Sequence, residues 1–145
     1  MGMNLFAGGR FVRLEFEHER RIPHNVITIE LASENNRERV FYARLITRDL
    51  GQNNPLSEKR ISIEREYFDV MYDRILSLNF KEIIKNHENL VGAGGASISL
   101  TVGTGQNNIK ISLRSPAALA TERKTEEFHT IVYDLFSLFD MQEWR

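Results

Sequence analysis

Cysteine is absent from the 145 residues of this chain, which excludes disulfides, thiolate nucleophiles, iron–sulfur clusters and cysteine-based zinc sites. A dominant charge is missing as well, since 19 basic residues stand against 20 acidic ones and the formal net charge is -1. This balance gives no broad attraction to nucleic acid or to an anionic membrane. Long apolar runs are also missing, so no segment predicts a membrane span. We therefore predict a protein that binds neither nucleic acid nor membrane.

What is present is the composition of a folded domain, with 41% hydrophobic and 27% charged residues, as in soluble globular proteins. The length suits one domain with its own core, so we predict a single α+β domain over residues 1–145. The first residues, "MGMNLFAGGR", lack the basic segment and the apolar run of a secretory signal. We therefore expect a cytoplasmic protein.

The first half of the sequence alternates apolar and polar residues with a period of two, which is typical of half-buried strands. We predict strands at residues 10–17, 25–32, 39–48 and 59–63. A two-residue turn at Asn35 and Asn36 would pair the second strand with the third. In that register one apolar set lines the core: Val12, Leu14, Phe16, Ile27, Ile29, Leu31, Val40, Tyr42 and Ile46.

Two amphipathic helices are predicted from apolar residues at helical spacing. The first covers residues 64–78, and Phe80 to Lys85 follows as a short turn. The second contains the apolar stripe of residues 128–139, with Thr121 or Thr125 as its cap. The fold class is therefore α+β, in the order β-β-β-β-α-β-β-α, with both helices packed on one face of a single antiparallel sheet of about six strands.

The glycine-rich stretch "LVGAGGASISLTVGTGQNNIKISLRSP", residues 90–116, could be a phosphate-binding loop or a hairpin. A dinucleotide fingerprint needs a third glycine where this chain has Ser97, and it needs a helix to follow. Alternating residues follow instead, and their apolar members share a face if an even number of residues closes the turn. We predict a hairpin of two strands with one polar face.

Metal and catalytic chemistry have weak support in this sequence. His18 and His24 flank one loop and could bind a metal with Glu17 or Glu19 as a third ligand, but solvated loop histidines are much the commoner case. No G-x-S-x-G elbow is present. We therefore predict no metal site, no cofactor and no catalytic residue.

The carboxylates of the first strand have two interpretations. Glu15 and Glu17 share a face and could form an acid–base pair. With the first two strands antiparallel, however, Arg13 lies opposite Glu30 and Glu15 lies opposite Thr28, which is an ordinary cross-strand charge pattern. We favour this second interpretation.

Two features of the third strand depart from an ordinary sheet. Arg44 falls in the inward register, where it must find a carboxylate, reach the sheet margin or bind an anion. Phe41, Ala43 and Leu45 point outward beside charged neighbours. This composition is that of a partner-binding patch, although a further packed element would explain it as well.

The second half of the chain resembles small bacterial cytosolic immunity proteins of secreted-toxin systems. The resemblance lies in "YFDVMYDRILSLNF", "SISLTVGTG" with "IKISLRSP", and "FHTIVYDLFSLF". It implies a non-catalytic module that binds and occludes a cognate toxin. We expect Glu15, Glu17, Glu30 and Phe41 to contact this partner, with the carboxylates setting register and Phe41 as an anchor.

Two alternatives belong to other classes. One is a small-molecule binder or an enzyme with a cavity between sheet and helices, in which Arg44 holds an anionic group. The other is a secretion chaperone, for which a homo-oligomer is expected.

Overall fold

The computed structural model describes residues 9–18, 26–33, 40–49, 57–87, 96–114 and 126–141. Within them, one antiparallel sheet contains six strands: β1 (Arg10–His18), β2 (Val26–Ser33), β3 (Phe41–Arg48), β4 (Ser57–Ile63), β5 (Ala96–Thr104) and β6 (Asn108–Arg114). The described helices are α1 (Arg65–Leu76), α2 (Phe80–His87) and α3 (Glu126–Ser137). The predicted α+β class and six-stranded antiparallel sheet are confirmed, and α2 is a helix at the position of the predicted short turn.

The strands lie in the order β4-β3-β2-β1-β5-β6, so β4 and β6 form the two edges. β1 pairs with β2 on one side and with β5 on the other. Its apolar residues align with apolar residues of both neighbours, and Leu14, for example, lies opposite Ile29 and Leu100. The register predicted between the first two strands is therefore confirmed, because alternating patterns on both strands bury the same face.

The core lies between one face of this sheet and the helices. Phe68 of α1 is fully buried and lies 5.1 Å from Phe41 of β3, measured between ring centroids. Phe136 of α3 meets Phe16 of β1 edge-to-face at 5.7 Å. The buried residues of both helices recur at helical spacing, which explains why these segments form amphipathic helices. No helix in the described part of the chain has the length and apolar character needed to cross a bilayer.

α2 begins with a reciprocal cap. Asn79 Oδ1 accepts a hydrogen bond from the backbone N–H of Glu82 at 3.1 Å, and Asn79 Nδ2 donates to Glu82 Oε2 at 3.1 Å. Ile83 then enters the core with 3% of its surface exposed. The cap and the buried isoleucine together stabilise a helix where the sequence reading expected a turn.

The register predicted for β3 is wrong. Leu31 pairs with Ala43 rather than with Val40, so the strand is shifted by three residues. An odd shift turns every side chain of a strand to the opposite face. Phe41, Ala43 and Leu45 therefore belong to the buried core, and the predicted outward patch does not exist. The predicted turn at residues 35–36 lies outside the described residues, as do the predicted caps Thr121 and Thr125.

β5 and β6 form the predicted hairpin. The strand β5 follows the glycines directly, so no helix is available there for a phosphate. Gly103 pairs with Asn108, which leaves the expected even number of residues in the turn. Ile98 and Leu100 are buried, whereas Ser99 lies on the other face and bonds Ser112 at 2.7 Å between hydroxyl oxygens. The segment of residues 88–95 itself is outside the described residues.

Candidate functional site

The face of the sheet that points away from the helices is called the second face here. One line of residues crosses it through all six strands, each residue directly opposite the next. This transverse row consists of Lys110, Thr101, Arg13, Glu30, Arg44 and Arg60. It contains four cationic side chains and a single carboxylate, so its charge is strongly positive although the whole chain is nearly neutral.

Glu30 is the centre of the transverse row. Arg13 Nε donates to Glu30 Oε1 at 3.1 Å, and Arg44 Nη2 donates to Glu30 Oε2 at 2.6 Å. The Glu30 side chain is 6% exposed, against 28% for Arg13 and 19% for Arg44. Arg44 Nη1 also lies 3.5 Å from Glu58 Oε1 on β4. The carboxylate thus holds two guanidinium groups in fixed positions on the sheet.

Burial and neighbouring carboxylates affect the pKa and the hydrogen bonding of Arg44. Burial alone would lower the pKa of Arg44, but the hydrogen bond and the charge of Glu30 outweigh it and raise that pKa. The buried Nε of Arg44 has no hydrogen-bond partner in the part of the chain that the structure describes. An unpaired buried donor costs about 1–3 kcal/mol.

A small apolar cluster lies beside the transverse row. Phe11, Ala32 and Tyr42 are adjacent across three strands and are 4%, 1% and 3% exposed. Arg13 Cζ is 5.2 Å from the centroid of the Phe11 ring, and Arg60 Cζ is 3.8 Å from that of Tyr42. Burial raises the pKa of Tyr42. The two arginines cover aromatic rings with their planar groups, which restricts their side-chain freedom.

Carboxylates border the transverse row on its other side. Glu15 is 32% exposed, and its Oε1 lies 4.0 Å from Lys110 Nζ. Glu17 lies two residues further along β1, on the same face as Glu15, and is exposed. Glu58 is 50% exposed on the edge strand. The second face therefore presents a line of cations with acidic groups beside it.

The structure brings together three of the four residues predicted to bind a partner. Glu15, Glu17 and Glu30 all lie on the second face. Phe41 does not join them, because it lies in the core against Phe68 and is only 8% exposed. Its predicted exposure is a consequence of the wrong β3 register. Glu30 is largely buried, and its two carboxylate oxygens accept hydrogen bonds from Arg13 and Arg44.

Arg44 also differs from its predicted position. It lies on the second face and not between sheet and helices, so it does not line the interior cavity that the small-molecule alternative requires. It does find the carboxylate that an inward arginine was expected to need, namely Glu30.

The sequence reading did not identify the transverse row as a unit. Arg60 and Lys110 lie on opposite edge strands, 50 positions apart in the sequence, and only the strand order aligns them. The signal that could have found part of the row was Arg44. Arg44 lies opposite Glu30 only if Leu31 pairs with Ala43. This register also buries Phe41, Ala43 and Leu45.

Metal ligation has no support in the residues that the structure describes, since no cluster of three histidine, aspartate or glutamate side chains occurs among them. His18 lies at the end of β1, 6.3 Å from Phe16 between ring centroids. His24, its proposed co-ligand, lies outside the described residues.

No protein-family model matches this chain, and no curated protein matches it significantly.

Proposed function

We propose that this chain is a non-catalytic protein-binding module whose second face contacts the partner through the transverse row. The observation that carries the proposal is the buried Glu30, which fixes Arg13 and Arg44 in line with Arg60 and Lys110. Fixed cations recognise a surface with acidic groups at matching positions, because charge complementarity sets orientation and speeds encounter.

The fixed arginines favour binding for an energetic reason. A flexible side chain loses about 0.5–1.5 kcal/mol of rotamer freedom when an interface immobilises it. Arg13 and Arg44 are already held by Glu30, and Arg60 rests on Tyr42. The free chain has therefore already lost much of the side-chain freedom that binding would otherwise restrict. Arginine is also among the residue types that dominate binding energy at protein interfaces.

A protein partner suits the second face better than a single-stranded nucleic acid. Sheets that bind single strands stack bases on exposed aromatic rings. Phe11 and Tyr42 are 4% and 3% exposed and lie under arginines, so they offer no such platform. The bordering carboxylates Glu15 and Glu58 would also repel phosphates, whereas a protein surface can place its own cations opposite them.

A secreted bacterial toxin is the partner that we propose for this module, on the resemblance of its second half to immunity proteins. In that role the second face covers an acidic part of the toxin and occludes its site. Glu15 and Glu17 supply the acidic contacts of the interface, while Glu30 positions the arginines.

The test compares two neighbouring charges of β4. Arg60 lies on the second face, while Lys59 is the next residue along and points to the opposite side. Both are exposed. The protein that co-purifies with the chain is identified, and its affinity is measured by calorimetry for Arg60→Glu and for Lys59→Glu. We expect Arg60→Glu to weaken binding by about tenfold or more and to change its salt dependence, with Lys59→Glu close to wild type.

Hydrogen exchange in the same complex gives an independent measurement. We expect new protection of amides in the strands of the sheet and little change in α1 and α3. Equal effects of the two charge reversals, or protection confined to the helices, would contradict the proposal. Tight binding to an unrelated single-stranded RNA that Arg60→Glu abolishes would contradict it as well.

A further inference from the structure

The outer surface of the helical layer contains a groove between α1 and α3. Its volume is about 290 Å³. Apolar and aromatic side chains form its walls, among them Tyr67, Val70, Met71 and Leu138, and Arg74 lies opposite Asp134 at one side. The groove is on the opposite side of the molecule from the transverse row, so it is not part of the surface proposed above.

Val70 gives this groove an unusual exposed wall. It is 54% exposed, although it lies in the middle of α1 between the buried residues Phe68 and Met71. Leu76 at the end of the same helix is 44% exposed, but it does not line the groove. An apolar wall next to a concave space is the feature by which a groove accepts an apolar side chain of another molecule.

The charges around the groove are mainly acidic. Arg74 is the one cation among the described lining residues, and it donates to Asp134 Oδ2 at 2.7 Å and to Glu127 Oε1 at 3.1 Å. These two carboxylates therefore outnumber and neutralise it. Glu66 and Asp73 lie four residues before and three residues after Val70, on the same exposed side of α1. Among the residues that the structure describes, the rim thus presents more carboxylates than cations.

We propose that the groove between α1 and α3 binds an amphipathic helix with a basic polar face, supplied by a partner protein. Such a helix places apolar residues at spacing i, i+3, i+4 and i+7, and one of them fits beside Val70 and Leu138. Its lysines or arginines then meet the carboxylates of the rim. An acidic helix fits the same walls but is repelled by Asp73 and Glu127.

The test uses two synthetic helical peptides with the same leucine positions. One carries lysine at every polar position, and the other carries glutamate. Binding to the full chain is measured by fluorescence anisotropy, and the site is located by amide shifts in NMR spectra. We expect the leucine–lysine peptide to bind and to shift Val70 and Leu138, and the leucine–glutamate peptide to leave both unchanged. Added salt should weaken the binding, because exposed charges are screened.

A pair of variants distinguishes binding in the groove from non-specific binding to exposed apolar residues. Val70→Gln should weaken binding of the leucine–lysine peptide about tenfold, the factor expected from one buried valine side chain. Leu76→Gln removes an equally exposed apolar residue outside the groove and should leave the affinity within about twofold. Both positions are exposed, so circular dichroism should show both variants folded.

Three results of the peptide experiments would overturn the assignment. They are binding of the leucine–glutamate peptide at similar affinity, equal weakening by both variants, and shifts that map to the second face. Self-association that Val70→Gln abolishes would also overturn it, since the groove would then belong to a dimer of this chain. Because Arg60→Glu leaves the groove intact, a failure of this proposal is distinct from a failure of the function proposed for the second face.

Discussion

Arg44 Nη2 of β3 lies 2.6 Å from Glu30 Oε2 of β2, and the two residues are directly opposite in the strand pairing. Arg13 holds the other carboxylate oxygen from β1. One buried acid therefore connects three adjacent strands. A slip of β3 by one residue would turn Arg44 into the core and leave part of this charge uncompensated, so the network favours a single register.

Glu30→Gln should lower the free energy of unfolding by about 3 kcal/mol, because it removes the buried carboxylate that two partly buried guanidinium groups share. Urea denaturation followed by circular dichroism measures the change. Glu58→Gln is the matched control, since Glu58 also approaches Arg44 but is 50% exposed. It should cost less than about 1 kcal/mol, as exposed ion pairs do. Equal losses in the two variants would mean that Glu30 has no special role.

The sheet could be read from the sequence where one set of alternating residues is apolar and the other polar. β1 is such a strand, with Leu14 and Phe16 against Arg13 and Glu15, and its register with β2 was predicted correctly. β3 has apolar residues on both sides, so alternation alone cannot decide its face. A two-residue turn at Asn35 and Asn36 predicts the wrong face, because seven residues separate Ser33 from Phe41 where the pairing begins.

The candidate site was less accessible to sequence reasoning than the fold. The transverse row takes one residue from each strand, and its members become neighbours only through the strand order β2-β1-β5. A sequence pattern contains no information on which distant strands pair. The cap of α2 could have been found, because Asn79 followed by Glu82 is the spacing of a capping box.

Gly103→Ala should destabilise the β5–β6 hairpin. Gly103 has a φ of 141°, and a Cβ atom there would clash with the backbone oxygen of Asn107. The turn is otherwise closed by a hydrogen bond of 2.8 Å from the Thr104 N–H to that same oxygen. We expect a loss of about 2 kcal/mol or more, because the conformation and the contact both exclude a side chain.

The control for this substitution is Gly9→Ala. At Gly9 the nearest atom to an added Cβ is Ser33 Oγ at 3.9 Å, which is ordinary van der Waals contact. Thermal unfolding should therefore distinguish a marked fall in Tm for Gly103→Ala from little change for Gly9→Ala. Similar Tm values for both variants would show that the turn does not need glycine.

Phe68→Ala should cost about 3–5 kcal/mol, the range for removing a buried aromatic ring. Phe68 is fully buried and contacts Phe41 and Tyr72 at centroid distances of 5.1 and 5.8 Å. Val70→Ala in the same helix should cost less than about 0.5 kcal/mol, since Val70 is 54% exposed. Chemical denaturation of both variants tests which face of α1 is buried. A larger loss of unfolding free energy for Val70→Ala than for Phe68→Ala would mean that this face is assigned wrongly.

Tyr67 should titrate at high pH. Burial raises its pKa from 10.0 to about 12, with a further contribution from the charge of Asp134. A raised pKa means that the folded chain favours the protonated phenol. The stability that Tyr67 contributes is therefore fully present below about pH 10 and is lost as the pH rises toward 12.

Absorbance at the tyrosinate band, taken as the difference between wild type and Tyr67→Phe, isolates this titration. Asp134→Asn should lower the pKa of Tyr67, because it removes the negative charge that opposes ionisation. A midpoint at the ordinary tyrosine value in the wild type would contradict the burial of this hydroxyl.

The position of β1 between β2 and β5 has a consequence for biosynthesis. Leu14 meets Leu100 across the β1–β5 pairing, and these residues are 86 positions apart along the chain. On the ribosome, β1 to β4 emerge first. The side of β1 that pairs with β5 therefore has no strand partner until β5 has been synthesised. Until then, the backbone N–H and C=O groups on that side of β1 have no strand partner, at the centre of what becomes the sheet.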